Sequence, residues 1–147
     1  MGRDPARDPV RFLLIEDDPD HAWLVSREFE LHHERALLQH FEDAEQALAY
    51  LRGDEPFDGR PRPDVVLVDL NLPRKGGFEV LSAIHDEPRC SGIHTVVLTT
   101  SSAESDRLRA ARHAEAFITK PVGLLEFRRV IGDMVTHWIE VCGGEVS

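Results

Sequence analysis

Pro63-Asp64-Val65-Val66-Leu67-Val68-Asp69-Leu70-Asn71-Leu72-Pro73 is the stretch on which the fold turns. Val65 to Val68 stand in an unbroken apolar row between a proline and a turn sequence. An apolar run without alternation reads as a strand buried on both faces, the pattern of a parallel sheet. The run ends in one carboxylate, Asp69. Open parallel sheets carry their chemistry at the carboxyl ends of strands, so an acid here is a functional candidate. Taken alone, Asp69 reads equally well as the opener of a turn. The other strand ends decide between the two.

On the N-terminal side, residues 1–9 are a polar, proline-bearing lead, expected to be loose. Val10 to Ile15 is a first strand, ending in Glu16-Asp17-Asp18. Asp18-Pro19 supplies an N-cap with proline at the first helical position, and Ala22, Val25 and Phe29 give that helix its inner face. Ala36 to Phe41 is a short strand; Asp43 then starts a helix through Ala47, Leu48 and Leu51, stopped by Gly53. Asp54 to Pro63 is a long Gly/Pro-rich surface loop.

On the C-terminal side a loop from Leu70 to Gly77 leads into a helix with Val80, Leu81 and Ile84. Ile93 to Thr99 is a strand that runs into Thr100-Ser101-Ser102, and the next helix is expected to turn Leu108 and Ala111 inward. Ala114 to Thr119 is the last strand, ending at Lys120-Pro121. The final helix carries Leu124, Phe127, Val130, Ile131, Met134, Val135 and Trp138 at spacings of three and four, with Gly143-Gly144 as its stop. Five strands alternating with five helices imply an α/β fold, a doubly wound five-stranded parallel sheet.

The bulk numbers exclude several classes. At 147 residues the chain fits one domain, and 41% hydrophobic with 30% charged residues is ordinary for a globular protein. A net charge of −10 with dispersed basic residues argues against nucleic acid as a partner. The apolar runs are too short for a membrane span. Cys90 and Cys142 lie far apart without metal-ligand spacing, which suits a reducing cytoplasm. The eight histidines show no paired metal spacing at strand ends and read as solvated or capping residues.

The polar groups at the strand ends are Glu16, Asp17 and Asp18, then Asp69, then Thr99 and Thr100, then Lys120. In a doubly wound sheet these meet at one crevice. Converging carboxylates repel one another, so the cluster calls for a cation, and oxygen-only ligands favour Mg²⁺ or Mn²⁺. Lys120 and a threonine hydroxyl suit phosphate oxygens, and an aspartate beside such a cation can attack phosphorus. Each piece has a plainer reading. Acidic residues before a helix serve as caps, threonine after a strand is often structural, and Lys-Pro is often a turn. Their coincidence at the same end of several strands favours phosphoryl chemistry on Asp69.

These residues resemble the receiver domains of two-component response regulators. The resemblance rests on Leu14-Ile15-Glu16-Asp17-Asp18, on Val68-Asp69-Leu70-Asn71-Leu72-Pro73 with Gly76-Gly77, on Val97-Leu98-Thr99-Thr100-Ser101, and on Phe117-Ile118-Thr119-Lys120-Pro121. It implies a flavodoxin-like receiver domain over residues 10–142, with a tail at 143–147. It makes Asp69 the phosphoacceptor and Glu16, Asp17, Asp69 and the Asn71 carbonyl the Mg²⁺ site. It also makes Thr100 the switch hydroxyl, Phe117 the aromatic switch, Lys120 the phosphate-binding lysine, and Pro121 a cis proline. The implied partner is a sensor histidine kinase, and the implied readout is a switched protein surface. The long loop before Arg62, with Asp69 to Arg74 and Thr99 to Ser102, is similar to the single-domain regulators paired with phytochrome-type kinases.

The rival readings fare worse. A phosphohydrolase using an aspartyl phosphate wants a second acid two residues after the nucleophile, where this chain has Asn71. A dinucleotide-binding fold wants a glycine-rich turn after the first strand, where Glu16-Asp17-Asp18 would repel a pyrophosphate. The expectation is therefore a phosphoacceptor signalling domain and not an enzyme with a small-molecule substrate. The last helix, with Trp138, Ile139 and Val141 near its end, is longer than a sheet-covering helix needs, and a homodimer through it is expected.

Overall fold

The computed structural model describes residues 8–72 and 76–143. The elements are β1 (Val10–Ile15), α1 (Pro19–Glu30), β2 (Ala36–Phe41), α2 (Ala44–Arg52), β3 (Val65–Val68), α3 (Gly77–Asp86), β4 (His94–Thr99), α4 (Glu104–Ala110), β5 (Ala116–Thr119) and α5 (Leu124–Gly143), with a short 3₁₀ turn at Pro88–Cys90. The strands form one sheet in the order β2-β1-β3-β4-β5, every pairing parallel. The expected doubly wound sheet is therefore the observed one. The chain moves from β1 outward to β2 and then back across to β3. That reversal opens a crevice at the carboxyl ends of β1 and β3, where such folds hold ligands.

Alternation along the strands sorts the core into two layers. Phe12, Leu14, Leu67, Val96 and Leu98 face α1 and α5, whereas Leu13, Ile15, Val66, Val68 and Val97 face α2 and α3. Val65 to Val68 are all fully buried, as the unbroken run required. Asp18 and Asp43 cap α1 and α2 by accepting hydrogen bonds from N–H groups of each first turn. Gly53 closes α2 at φ 74°, a left-handed conformation that favours glycine. Tyr50 packs with Phe41 and Phe57, and its hydroxyl donates to the Pro61 carbonyl, pinning the long loop back onto the sheet edge.

Two expectations are corrected. Leu108 is 59% exposed and Ala111 is exposed as well, while Ala110 is the buried residue of α4. The Ser101 hydroxyl donates to Asp106 Oδ2 at 2.6 Å, and the row through Asp106 and Ala110 is the one that faces inward. Leu108 sits roughly half a turn from that row.

The second correction concerns α5. Trp138 is only 5% exposed and Ile139 is buried with it in the core layer shared with α1. The helix starts on the rim beside Lys120 and ends with Gly143 against Val10, the first residue of β1. It therefore travels the full height of the sheet, and its length is used inside the domain. Trp138 packs against His94 at the start of β4, and Glu28 of α1 pairs with Arg128 of α5 at 2.6 Å. Val141 alone of the three end residues stays exposed, so the apolar stripe on which the homodimer expectation rested is absent. Residues 1–7 of the lead expected over 1–9, together with Pro73 to Lys75 and the expected stop at Gly144, lie outside the described residues. No helix among those described is long and apolar enough to cross a membrane.

Candidate functional site: an acidic crevice closed by a lysine

The groups named from the strand ends converge at the β1/β3 crevice. One carboxylate oxygen from each of Glu16, Asp17 and Asp69 lies within 4.8 Å of the others. Glu16 and Asp69 are buried and Asp17 is exposed, so the cluster opens to solvent through Asp17. Lys120 enters from the end of β5, itself buried. Its Nζ donates to Glu16 Oε1 and, at 3.0 Å, to Asp69 Oδ2.

The backbone aims these side chains. Asn71 N–H donates to Asp69 Oδ1 at 2.9 Å, closing a tight turn directly after β3. The turn is pressed against the start of α3, where a Cβ on Gly77 would stand 2.4 Å from Leu70 Cα and 2.5 Å from the Asp69 carbonyl. Only glycine permits that approach. The Lys120 N–H donates to the Thr99 carbonyl at 2.6 Å, tying the lysine to the end of β4. The His40 ring bonds the Glu16 carbonyl at 2.7 Å, fixing the peptide that leads into the acidic run.

The electrostatics divide the two buried carboxyls. Burial raises the Glu16 pKa from 4.5 to about 7; the neighbouring Asp69 adds to this, and Lys120 opposes it. Burial pushes Asp69 up too. It is outweighed by hydrogen bonds from the Glu16 carboxyl and the Asn71 N–H and by the Lys120 charge, which bring Asp69 below its usual 3.8. Near neutral pH the crevice thus holds an ionised Asp69 beside a Glu16 poised to lose its proton. An ionised carboxylate is what a nucleophile toward phosphorus requires.

Of the two threonine hydroxyls at the end of β4, the expected one is not the one turned into the crevice. Thr100 is exposed, whereas Thr99 is completely buried. Asn71 Nδ2 approaches Thr99 Oγ1 at 3.5 Å, and the Ser101 N–H donates to the same oxygen at 3.3 Å. Strand alternation is the reason. Thr99 shares a face with Val97 and turns toward the Asp69 loop, and the next residue turns away. Phe117 is half-buried, paired with Val97 and on the face of β5 that also carries Thr119, the partner of Thr99. The cis peptide among the described residues is Glu55–Pro56, and Lys120–Pro121 is trans.

Sequence reading also missed His21. Its Nδ1 lies 3.0 Å from Lys120 Nζ and 3.6 Å from Asp18 Oδ2, and its ring packs on Phe127 at 5.9 Å. Nothing in the spacing of the eight histidines marks it. The contact spans 99 residues and exists only because α1 and the end of β5 share one rim.

A doubly wound sheet whose strand ends gather an acidic trio, a buried lysine and a strand-end hydroxyl defines an α/β domain of the flavodoxin-like class with a ligand crevice at its topological switch point. Comparison with known proteins makes this specific. Residues 12–131 match the response regulator receiver domain family, and the chain belongs to that family. It is 33% identical over 141 residues to the response regulator Rcp1 of Synechocystis, covering 93% of this chain and 94% of that one. It is 38% identical over 135 residues to the probable methanogenesis regulatory protein FilR2 of Methanothrix harundinacea, covering 91% and 86%. The phosphorylated cyanobacterial phytochrome response regulator RcpA superposes with a TM-score of 0.87 at 30% identity, over 91% of this chain and 96% of that one. The Mn²⁺-bound form of Rcp1 gives 0.84 at 32% identity, over 90% and 96%.

Proposed function

We propose that this protein is the phosphoacceptor of a two-component system, taking a phosphoryl group from a sensor histidine kinase onto Asp69. The observation that carries this reading is the Asp69 carboxyl group held between Asn71 N–H and Lys120 Nζ, beside two further carboxyl groups. In the transfer an Asp69 oxygen attacks phosphorus, the P–N bond of a phosphohistidine breaks, and its electron pair returns to the imidazole. Lys120 follows the phosphoryl oxygens as the charge moves off the carboxylate. Glu16, Asp17 and Asp69, with the Asn71 carbonyl, would hold Mg²⁺ or Mn²⁺. The donor set is all oxygen and anionic, which fits a hard divalent cation. Such an ion supplies charge neutralisation on the phosphoryl oxygens.

Thr99 is the hydroxyl this reading assigns to the phosphorylated state, replacing Thr100, because it is the buried one beside Asn71. Its movement toward a phosphoryl oxygen would free space beside Phe117 and repack the β4–β5 side of the domain. Thr99→Val is expected to leave phosphorylation intact but to abolish the phosphorylation-dependent amide shifts on β5. Thr100→Val is expected to leave those shifts as in wild type. Equal behaviour of the two variants in ¹⁵N correlation spectra returns the role to neither hydroxyl.

The likeness to the phytochrome response regulator RcpA supports a phytochrome-type kinase as partner, and the free cysteines Cys90 and Cys142 suit a reducing, cytoplasmic setting. A homodimer through the α5 face would use its start, since Leu124 and Leu125 of the first turn and Val122 just before it are exposed. The decisive experiment is intact mass after incubation with acetyl phosphate and Mg²⁺. One phosphoryl adduct on the wild type, lost in Asp69→Asn and in excess EDTA, is the expected result. An adduct that survives Asp69→Asn places the phosphoacceptor elsewhere, and no adduct on the folded wild type removes the reading.

A further inference from the structure

A lysine ammonium carries three protons and accepts nothing. Three acceptors surround Lys120 Nζ: Glu16 Oε1, Asp69 Oδ2 at 3.0 Å and His21 Nδ1 at 3.0 Å. Because an ammonium only donates, a hydrogen bond between the two has His21 Nδ1 as its acceptor. The ring is set in place from both sides. The His21 backbone N–H donates to the capping Asp18 Oδ1 at 3.3 Å, and Phe127 of α5 lies against the imidazole.

Two of the three acceptors belong to the reacting centre. Asp69 changes its charge and shape when phosphorylated, and Glu16 is engaged by any cation in the acidic trio. His21 is the acceptor that neither event consumes. We propose that His21 is a positioning residue for phosphoryl transfer, its Nδ1 holding the Lys120 ammonium over Asp69 while the other two acceptors are redirected. The inference rests on the reading of Asp69 as phosphoacceptor. It deepens that reading by giving the lysine a fixed support outside the carboxylates.

Two substitutions separate hydrogen bonding from packing. His21→Phe keeps a ring against Phe127 and removes the acceptor. His21→Asn sets a carbonyl oxygen close to the position of Nδ1 and removes the ring. The adduct rate with acetyl phosphate and Mg²⁺ at pH 8 is followed by intact mass for the full chain. His21→Phe is expected to slow the rate about tenfold, the scale of one hydrogen bond to a charged group, and His21→Asn to stay within about twofold of wild type. Mg²⁺ affinity is expected to be unchanged within about twofold in both, since no carboxylate is altered. Wild-type rates in His21→Phe, or equal losses in the two variants, overturn the proposal. A wild type that forms no adduct instead removes the phosphoacceptor reading, and this inference with it.

Discussion

Mg²⁺ titrated calorimetrically into the protein over a range of pH is expected to bind with constant affinity above about pH 7 and to lose close to tenfold per unit below it. The cause is Glu16. Its folded-state pKa of about 7 means that below this pH the carboxyl keeps its proton, hydrogen-bonded toward Asp69, and must release it when a cation enters the trio. By pH 5 the loss reaches about a hundredfold. Asp69 adds nothing in this window, because its pKa lies below 3.8 and it is ionised throughout.

Without metal, the same shift has the opposite consequence. The folded pKa of Glu16 is above the unfolded 4.5, so the folded state holds the extra proton between the two values. The resulting stabilisation, on the order of 3 kcal/mol, is fully present below about pH 4.5 and is lost as pH rises through about 7. The Asp69 shift acts in the reverse sense, its stabilisation being present above 3.8 and lost in more acid solution. Denaturant unfolding in EDTA should therefore give a higher midpoint at about pH 5.5 than at about pH 8. A flat Mg²⁺ affinity together with a flat midpoint would falsify the shared-proton arrangement.

Lys120→Met is expected to destabilise the metal-free protein at pH 8 by roughly 3–5 kcal/mol, because it leaves two buried carboxyls without their cation. Methionine keeps the length of the side chain, so little of the effect comes from lost volume. On the scale of a domain this size the fall in melting temperature is about 10 °C. Two features check the cause. The deficit should shrink at about pH 6, where Glu16 is neutral, and saturating Mg²⁺ should restore part of it by supplying a cation to the same carboxylates. If Lys120→Met melts at the wild-type temperature in EDTA at both pH values, desolvation of the lysine costs as much as the pairing returns. The lysine would then be kept for transfer and not for stability.

The centre of this protein is legible in its linear order because the chemistry of a parallel sheet is written at strand ends. Val65 to Val68 announce a strand buried on both sides, and Asp69 follows it directly. Glu16 and Asp17 after β1 and Lys120 after β5 follow by the same logic, and the structure brings all four into one crevice. What the linear order left undecided depends on which way a side chain faces. Thr99 and Thr100 are chemically alike neighbours, and only the pleat of β4, in register with β3 and β5, buries one and exposes the other.

Helix faces raise the same difficulty. Leu108 is more apolar than Ala110, yet the alanine is the buried one, on the row of α4 whose Asp106 bonds Ser101. Trp138 reads as exposed surplus on a long helix until the course of α5 from Lys120 down to Val10 is known. His21 is the clearest case. Its nearness to Lys120 comes from two elements at opposite ends of the chain meeting at one rim of the sheet, and no local pattern encodes that distance. The apolar strand runs and the polar residues that end them determined which groups meet at the crevice. Tertiary packing decided which hydroxyl faces that crevice and which histidine touches its lysine, since both are set by contacts between residues far apart in the chain.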